Sequence, residues 1–569
     1  MGILDNKYAE RIFTLFLFLV ILLPSFCISL WCADLDGFIV KKLGFLLISL
    51  VCVLIPLLFL KKKIYFILEG LFSVLISPIE LSSLYLNHTT TDFMMMDTIL
   101  NTNWTEAMEL LSSIWLFVLG VVIVFIAYFF ITIKFIKNEE FFSKKLKKVL
   151  LILLPVLLLI GSVYYFILAR KLMTSENTTF TDNLVDMKDM MTIKFRKIFP
   201  FDVYIATGDV IERRMEIRRN QERLKDFSFG LPKKEDDEEE VAILVIGETA
   251  RWWNFGVNGY ERNTTPELSQ QKNLISYSYL VTQANLTSNS VPIILSRANA
   301  LHSEIAYSEK SLCEAFAEVG FSTSWISDQE LSTYQERIIE TCDFTATTSD
   351  TKFVYDMDLL PSLDTCLNMK SPKKFIVIHT LGSHFKYCQR HPEEYKIYQP
   401  CFENNMDYLS INRDNKQLII NSYDNSIQYT DHFLGSLIQR LEQRGGVWSL
   451  IFLSDHGENL FDDERDLILH GSLVVSEYEA RIPFFVVYSD VYAIRYPEKV
   501  QNIEANKDKC LTSEVVFHSM LDMADIQSDV VDTTLSISRI SLTNMDSTYI
   551  LNGNRQPILF EFNRLKGSR

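Results

Sequence analysis

The sequence predicts an α-helical membrane domain of five transmembrane helices, followed by an α/β domain with a mostly parallel central sheet. Three observations predict it. Long apolar runs crowd the front of the chain, apolar strands alternate with helix-like segments from residue 241 onward, and two of those strands end in acidic and imidazole side chains.

At 569 residues the chain is long enough for several domains, and 48% hydrophobic residues make it too apolar for an ordinary soluble protein. Residues 12–32, 43–60, 64–84, 114–136 and 149–169 are apolar runs of roughly 18 to 23 residues, the length a helix needs to cross a bilayer. The first is too long, and too closely followed by others, to be a cleaved signal peptide. Lys61, Lys62 and Lys63 lie between spans two and three, and Lys137, Lys144, Lys145, Lys147 and Lys148 between spans four and five. Both loops are therefore expected on the cytoplasmic side, which puts everything after residue 169 outside. Lys41 and Lys42 run against this assignment but are outnumbered.

Cysteine usage fits that topology. Cys27, Cys32 and Cys52 fall in the spans, leaving Cys313, Cys342, Cys366, Cys388, Cys401 and Cys510 outside, an even number in an oxidising compartment. Cys388 and Cys401, in one loop, are the expected pair.

Residues 1–169 thus form the membrane domain, 170–240 a linker and 241–569 the outer domain. Within the linker, Met187–Lys197 and Arg213–Lys225 mix apolar and charged residues, as helices lying at a bilayer surface do. In the outer domain, Val241–Gly247, Ser322–Ile326, Phe375–His379, Val447–Leu453 and Ile482–Val487 read as strands, and Ser311–Val319 and Ile419–Gln443 as helices. The net charge of -16 says little about a substrate, because a bound ion sets the field at its own site.

Parallel sheets place their chemistry beyond the carboxyl ends of their strands. Glu248 follows the first strand, and Ser454-Asp455-His456-Gly457-Glu458 ends another. Glu, Asp and His form a ligand set suited to Zn2+ or a similar divalent ion. A nucleophile is expected from Thr282–Pro292, which carries Thr287. A threonine hydroxyl is a weak nucleophile until a metal or base activates it.

These motifs resemble those of the alkaline phosphatase and sulfatase superfamily, and the whole chain resembles the membrane phosphoethanolamine transferases that modify lipopolysaccharide, including the colistin-resistance (polymyxin-resistance) enzymes. Gly247-Glu248-Thr249-Ala250-Arg251 matches the family's first metal motif, and Ser454-Asp455-His456-Gly457-Glu458 matches its second. Thr287 in Thr-Ser-Asn-Ser-Val-Pro matches its nucleophile. His379-Thr-Leu-Gly-Ser-His384 matches its substrate-site histidines, and His470 a further histidine near the metal. The resemblance implies Zn2+ on Glu248, Thr287, Asp455 and His456, one ion firmly and a second as an option, with His384, His470 and His379 at the substrate. Asp97–Glu106 resembles the outer-face segment that holds the lipid donor, with Glu106 placed to meet an ammonium group, although Thr98 stands where many members have asparagine. The cysteine pair that flanks the nucleophile loop in the colistin-resistance group is replaced by Gln283 and Ile293. That loop must then be held by packing and hydrogen bonds. The run Val291–Ala298 looks closer to the branch that modifies the lipopolysaccharide core.

The implied activity is metal-dependent transfer of phosphoethanolamine from phosphatidylethanolamine to lipid A or lipopolysaccharide core through a covalent threonine intermediate. The implied setting is a bacterial inner membrane with a periplasmic catalytic domain, a monomer and no nucleic-acid partner. A formylglycine sulfatase is excluded, since Ile294 stands where that chemistry needs arginine. A glycerol phosphate transferase of the lipoteichoic acid synthase type is the alternative. His391, before a proline, reads as surface loop, and Thr249 is assigned no chemistry.

Overall fold

The computed structural model describes residues 6–31, 39–87, 89–101, 115–172, 195–234, 238–329, 331, 333–348, 354–403 and 411–566. The chain divides into two compact units, Met1–Met215 and Glu216–Arg569.

The first unit is helical. Tyr8–Trp31, Lys62–Tyr85 and Trp115–Phe135 are helices long and apolar enough to cross a membrane, and Lys42–Leu58 is a shorter apolar helix. The fifth predicted span falls on the helix Lys144–Leu172. Polar tips inside this apolar packing are satisfied by backbone, as a bilayer requires: Tyr65 Oη donates to Val53 O and Tyr128 Oη to Phe66 O, each at 2.8 Å. The two lysine-marked turns meet at one end of the unit, where Lys62 N donates to Glu139 O at 2.9 Å and Lys137 N to Glu10 Oε1 at 3.4 Å. That is the arrangement a positive-inside topology needs. Glu106 lies outside the described residues. So does most of Met187–Lys197, whereas Arg213–Lys225 lies largely on the helix Phe201–Arg223.

The second unit carries the strands β1 Glu240–Gly247, β2 Leu274–Ser276, β3 Tyr279–Val281, β4 Ser322–Ser327, β5 Phe344–Ala346, β6 Lys373–His379, β7 Val447–Ser454, β8 Asn459–Leu460, β9 Ile468–Leu469, β10 Phe484–Tyr488, β11 Cys510–Thr512, β12 Ser547–Leu551 and β13 Pro557–Glu561. Seven form one sheet in the order β2-β10-β7-β1-β6-β4-β5. The run β7-β1-β6-β4-β5 is parallel, while β10 is antiparallel to both β7 and β2. The remaining strands pair as β3 with β11, β8 with β9 and β12 with β13.

β1 is central and buried on both faces, which explains its unbroken apolar run. Ala242, Leu244 and Ile246 pack into one core, and Val241, Ile243 and Val245 into the other. The helix Leu312–Val319 adds Leu312, Cys313 and Phe316 to the first core, and the helix Lys416–Arg444 adds Tyr423, Phe433 and Leu437 to the second. Register then aligns the strand ends, with Ile246 beside His379 and Gly247 beside Ser454. The residues that follow β1, β6 and β7 therefore emerge together along one edge.

Two sequence expectations are corrected here. Cys388 and Cys401 are not joined by a disulfide, and neither are the other described cysteines. Cys388 packs in the second core as a small apolar side chain, a role cysteine fills readily. His391 is buried rather than on the surface, and its Nδ1 donates to Pro392 O at 2.9 Å.

Candidate active site

Glu248 leaves β1, and Asp455 and His456 leave β7. All three are buried, and each offers one ligand atom within 4.8 Å of the others. His456 Nε2 stands 3.5 Å from Glu248 Oε1 and 3.3 Å from Asp455 Oδ2. Thr287 arrives from a third direction, as the first residue of the helix Thr287–Ile294. Its Oγ1 donates to Glu248 Oε1 and Oε2 at 3.2 and 3.1 Å and lies 3.2 Å from His456 Nε2. Thr282 Oγ1 and Ser290 Oγ, on either side of Thr287, both donate to Asp455 O, at 2.6 and 2.7 Å. The Thr287 segment is thus tied to the same strand end that carries two of the candidate ligands.

The loop before Thr287 is held as its missing cysteines require. Gln283 Oε1 accepts from Ala300 N at 2.6 Å, Gln283 Nε2 donates to Thr512 Oγ1 at 2.9 Å, and Ile293 is buried.

Two glycines permit the close packing. A Cβ on Gly382, whose φ is +49°, would meet Glu248 O at 2.9 Å, and one on Gly457 would collide with Tyr478 O. Thr249 adopts φ 61°, a left-handed conformation that costs a β-branched residue about 1–3 kcal/mol. Its bonds explain why the chain tolerates it. Thr249 Oγ1 donates to Glu248 Oε1 at 2.6 Å, and its N–H donates to Asp455 Oδ1 at 3.1 Å. Thr249, assigned no chemistry from the sequence, orients two candidate ligands.

The donor set fits a divalent cation. His456 Nδ1 donates to Gly457 O at 2.9 Å, which turns Nε2 toward the carboxylates, where a proton or a metal cation can sit between them. Asp455 Oδ2 is buried without a hydrogen-bond partner, a costly state for a carboxylate oxygen unless a cation meets it. Burial pushes the His456 imidazole down, but Asp455 and Glu248 outweigh burial and hold its pKa above the ordinary histidine value. The site draws positive charge.

His384 and His470 stand around this cluster. The His470 ring lies 4.1 Å from the His456 ring, tilted by 37°, and its Nδ1 donates to Glu458 Oε2 at 3.1 Å. Burial pushes His470 down to about 3 and His384 to about 4. Both are neutral imidazoles near pH 7, able to accept protons or hydrogen bonds. His379 is set into the core instead. It is fully buried, lies edge-on to Trp325, and accepts at Nδ1 from Gln335 Nε2 at 3.0 Å. Sequence reasoning overlooked Gln329, whose Nε2 donates to Glu248 Oε2 at 2.8 Å. Its place just past the end of β4, on the same sheet edge, was the available signal.

The family model described as Sulfatase matches residues 240–526, and that described as Phosphoethanolamine transferase EptA/EptB matches residues 85–180. Among curated proteins, the Kdo(2)-lipid A phosphoethanolamine 7''-transferase of Salmonella typhimurium is 30% identical over 277 residues, 47% of each chain. The phosphoethanolamine transferase EptC of Escherichia coli is 27% identical over 321 residues, 53% of each. The match thus spans about half the length of these relatives. Among solved structures, the integral membrane lipooligosaccharide phosphoethanolamine transferase A of Neisseria meningitidis matches with a TM-score of 0.70 at 18% identity, covering 93% of this chain and 98% of that one. The zinc complex of the periplasmic domain of EptC from Escherichia coli matches with a TM-score of 0.52 at 24% identity, covering 59% and 95%. At these identities the structural likeness speaks for the fold.

Proposed function

The chain belongs to the sulfatase family, and from that premise we propose that it transfers phosphoethanolamine from phosphatidylethanolamine to lipid A or lipopolysaccharide core. We place it in a bacterial inner membrane crossed by five helices, with the catalytic domain in the periplasm. One observation carries the reading: a threonine hydroxyl at the start of a helix converges within 3.2 Å on a glutamate and a histidine of a buried cation-binding set. The match of residues 85–180 to the phosphoethanolamine transferase model supports the choice of donor.

Glu248, Asp455, His456 and Thr287 Oγ1 would hold one Zn2+, which when bound acts as a Lewis acid that favours the alkoxide and offsets phosphoryl charge. Thr287 Oγ1 attacks the donor phosphorus, the bond to diacylglycerol breaks, and the hydroxyl proton ends on the departing diacylglycerol oxygen. The acceptor hydroxyl or phosphate then attacks the phosphoethanolamine-threonine, and its proton returns to Thr287 Oγ1. His384, neutral near pH 7, is at hand to donate to the phosphoryl oxygens, and His470, whose Nδ1 proton goes to Glu458, to accept at Nε2 from a reacting hydroxyl. Glu458 keeps the His470 ring oriented through its Nδ1.

The donor separates this reading from a glycerol phosphate transferase. A polar site built for a primary ammonium rejects a headgroup lacking it far more strongly than an apolar site rejects a change of size. Purified protein should release diacylglycerol from phosphatidylethanolamine and not from phosphatidylglycerol. Glu106→Gln should weaken donor use without altering metal content. Faster release from phosphatidylglycerol would overturn the phosphoethanolamine assignment and leave the threonine and metal arguments standing.

A further inference from the structure

Both oxygens of Glu248 are occupied by protein donors from different directions. Oε1 accepts from Thr249 Oγ1 at 2.6 Å and from Thr287 Oγ1 at 3.2 Å, while Oε2 accepts from Gln329 Nε2 at 2.8 Å and from Thr287 Oγ1 at 3.1 Å. When Thr287 turns to other work, Thr249 and Gln329 are what remains to hold the carboxylate.

Gln329 has a second partner. The same Nε2 donates to Thr380 O at 2.8 Å, and Gln329 N is held by Ser327 Oγ at 3.1 Å. A carboxylate and a carbonyl can only accept, so the amide's orientation is settled by chemistry: its nitrogen faces both. Thr380 opens the turn that runs from His379 to His384. That turn packs on the Glu248 backbone, with Ser383 N donating to Glu248 O at 3.1 Å and Thr380 N to Ile246 O at 3.0 Å. One NH2 group therefore links the ends of β4, β1 and β6.

We propose that Gln329 is a positioning residue that holds Glu248 Oε2 away from the cation, leaves Oε1 facing His456, and registers this ligand against the His384 turn. The inference rests on the metal reading above. An uncharged amide suits the task, because it donates without bringing a second positive charge to compete with the cation and does not titrate. Outer partners of this kind are worth about 10- to 100-fold in metal affinity.

The test compares full-length wild type with Gln329→Met, which keeps the length of the side chain and loses both donated bonds. Zinc affinity is read by chelator competition, the ligand field by the visible spectrum of the Co2+-loaded protein, and kcat and KM at limiting and saturating zinc. Gln329→Met should bind zinc about 10- to 100-fold more weakly, shift the Co2+ spectrum, and regain most of its kcat at saturating zinc with donor KM little changed. A merely structural role would lower the melting temperature and leave the spectrum alone. Should the Met variant not fold, Gln329→Leu, uncharged and also without a donor, takes its place. Wild-type zinc affinity and spectrum in the variant would overturn the role of Gln329, whereas wild type that binds no zinc would overturn the metal reading itself.

Discussion

Glu248, Asp455 and His456 gain meaning only as a set. Any one of them, following a strand, could be a cap or a turn residue, but their convergence with Thr287 across sequence separations of 39 and 169 residues selects for chemistry. Groups that act as one unit lose function non-additively. Glu248→Gln, Asp455→Asn and His456→Ala should each lower transfer on the order of a thousandfold or more, with the double replacements little worse. Chelation should produce the same loss in wild type, and zinc should reverse it. Turnover measured on matched metal contents checks this, and independent, multiplying losses would argue that the residues do not share an ion. All three candidate ligands were legible in the sequence because each sits at the end of a recognisable strand. Their supports were not. Thr249 looks like a cap until its φ of 61° turns its hydroxyl toward Glu248, and Gln329 is two residues past a strand whose neighbours only the topology reveals.

The strands and helices that carry these residues follow local rules closely. Ser311 and Glu314 form a reciprocal capping box that starts the helix Leu312–Val319, and Gly320, at φ +105°, ends it. The strands β1, β4, β6, β7 and β10 fall where apolar runs predict them. The direction of β10 does not follow from its composition, since Phe484–Tyr488 would suit either orientation and only pairing with β7 makes it antiparallel. Spacing likewise suggested bonding Cys388 to Cys401, but Cys388 packs among the apolar side chains of the second core and no disulfide joins the two. Burial also gives the helix Val515–Met523 a pH dependence. His518, accepting at Nδ1 from Asp532 N at 3.1 Å, has its pKa pushed down from 6.5 to about 4, chiefly by burial. As pH falls through that window the unfolded chain takes up a proton that the folded chain refuses, so stability is full above the unfolded value and declines below it. This one group should remove on the order of 2–3 kcal/mol by pH 4. His518→Gln should flatten the decline of the thermal midpoint between pH 7 and pH 4, and an unchanged slope would show that His518 does not drive it.

The chain as a whole has a helical unit with helices long and apolar enough to cross a membrane and a second unit of the sulfatase family. The apolar runs and lysine-marked turns made the first unit readable, and the meeting of the Lys62 and Lys137 turns at one end agrees with the topology they imply. Three of the five runs form helices that meet the length and apolarity of a membrane span among the described residues. For the catalytic unit, the central claim is that Thr287 becomes covalently loaded with the donor's headgroup. Full-length protein incubated with phosphatidylethanolamine, without acceptor, and analysed by intact-protein and peptide mass spectrometry tests it most directly. A phosphoethanolamine adduct should appear on the peptide containing Thr287 in wild type and be absent from a folded Thr287→Ala protein that no longer turns over. An adduct on another residue, or near-normal turnover by Thr287→Ala, would contradict the account.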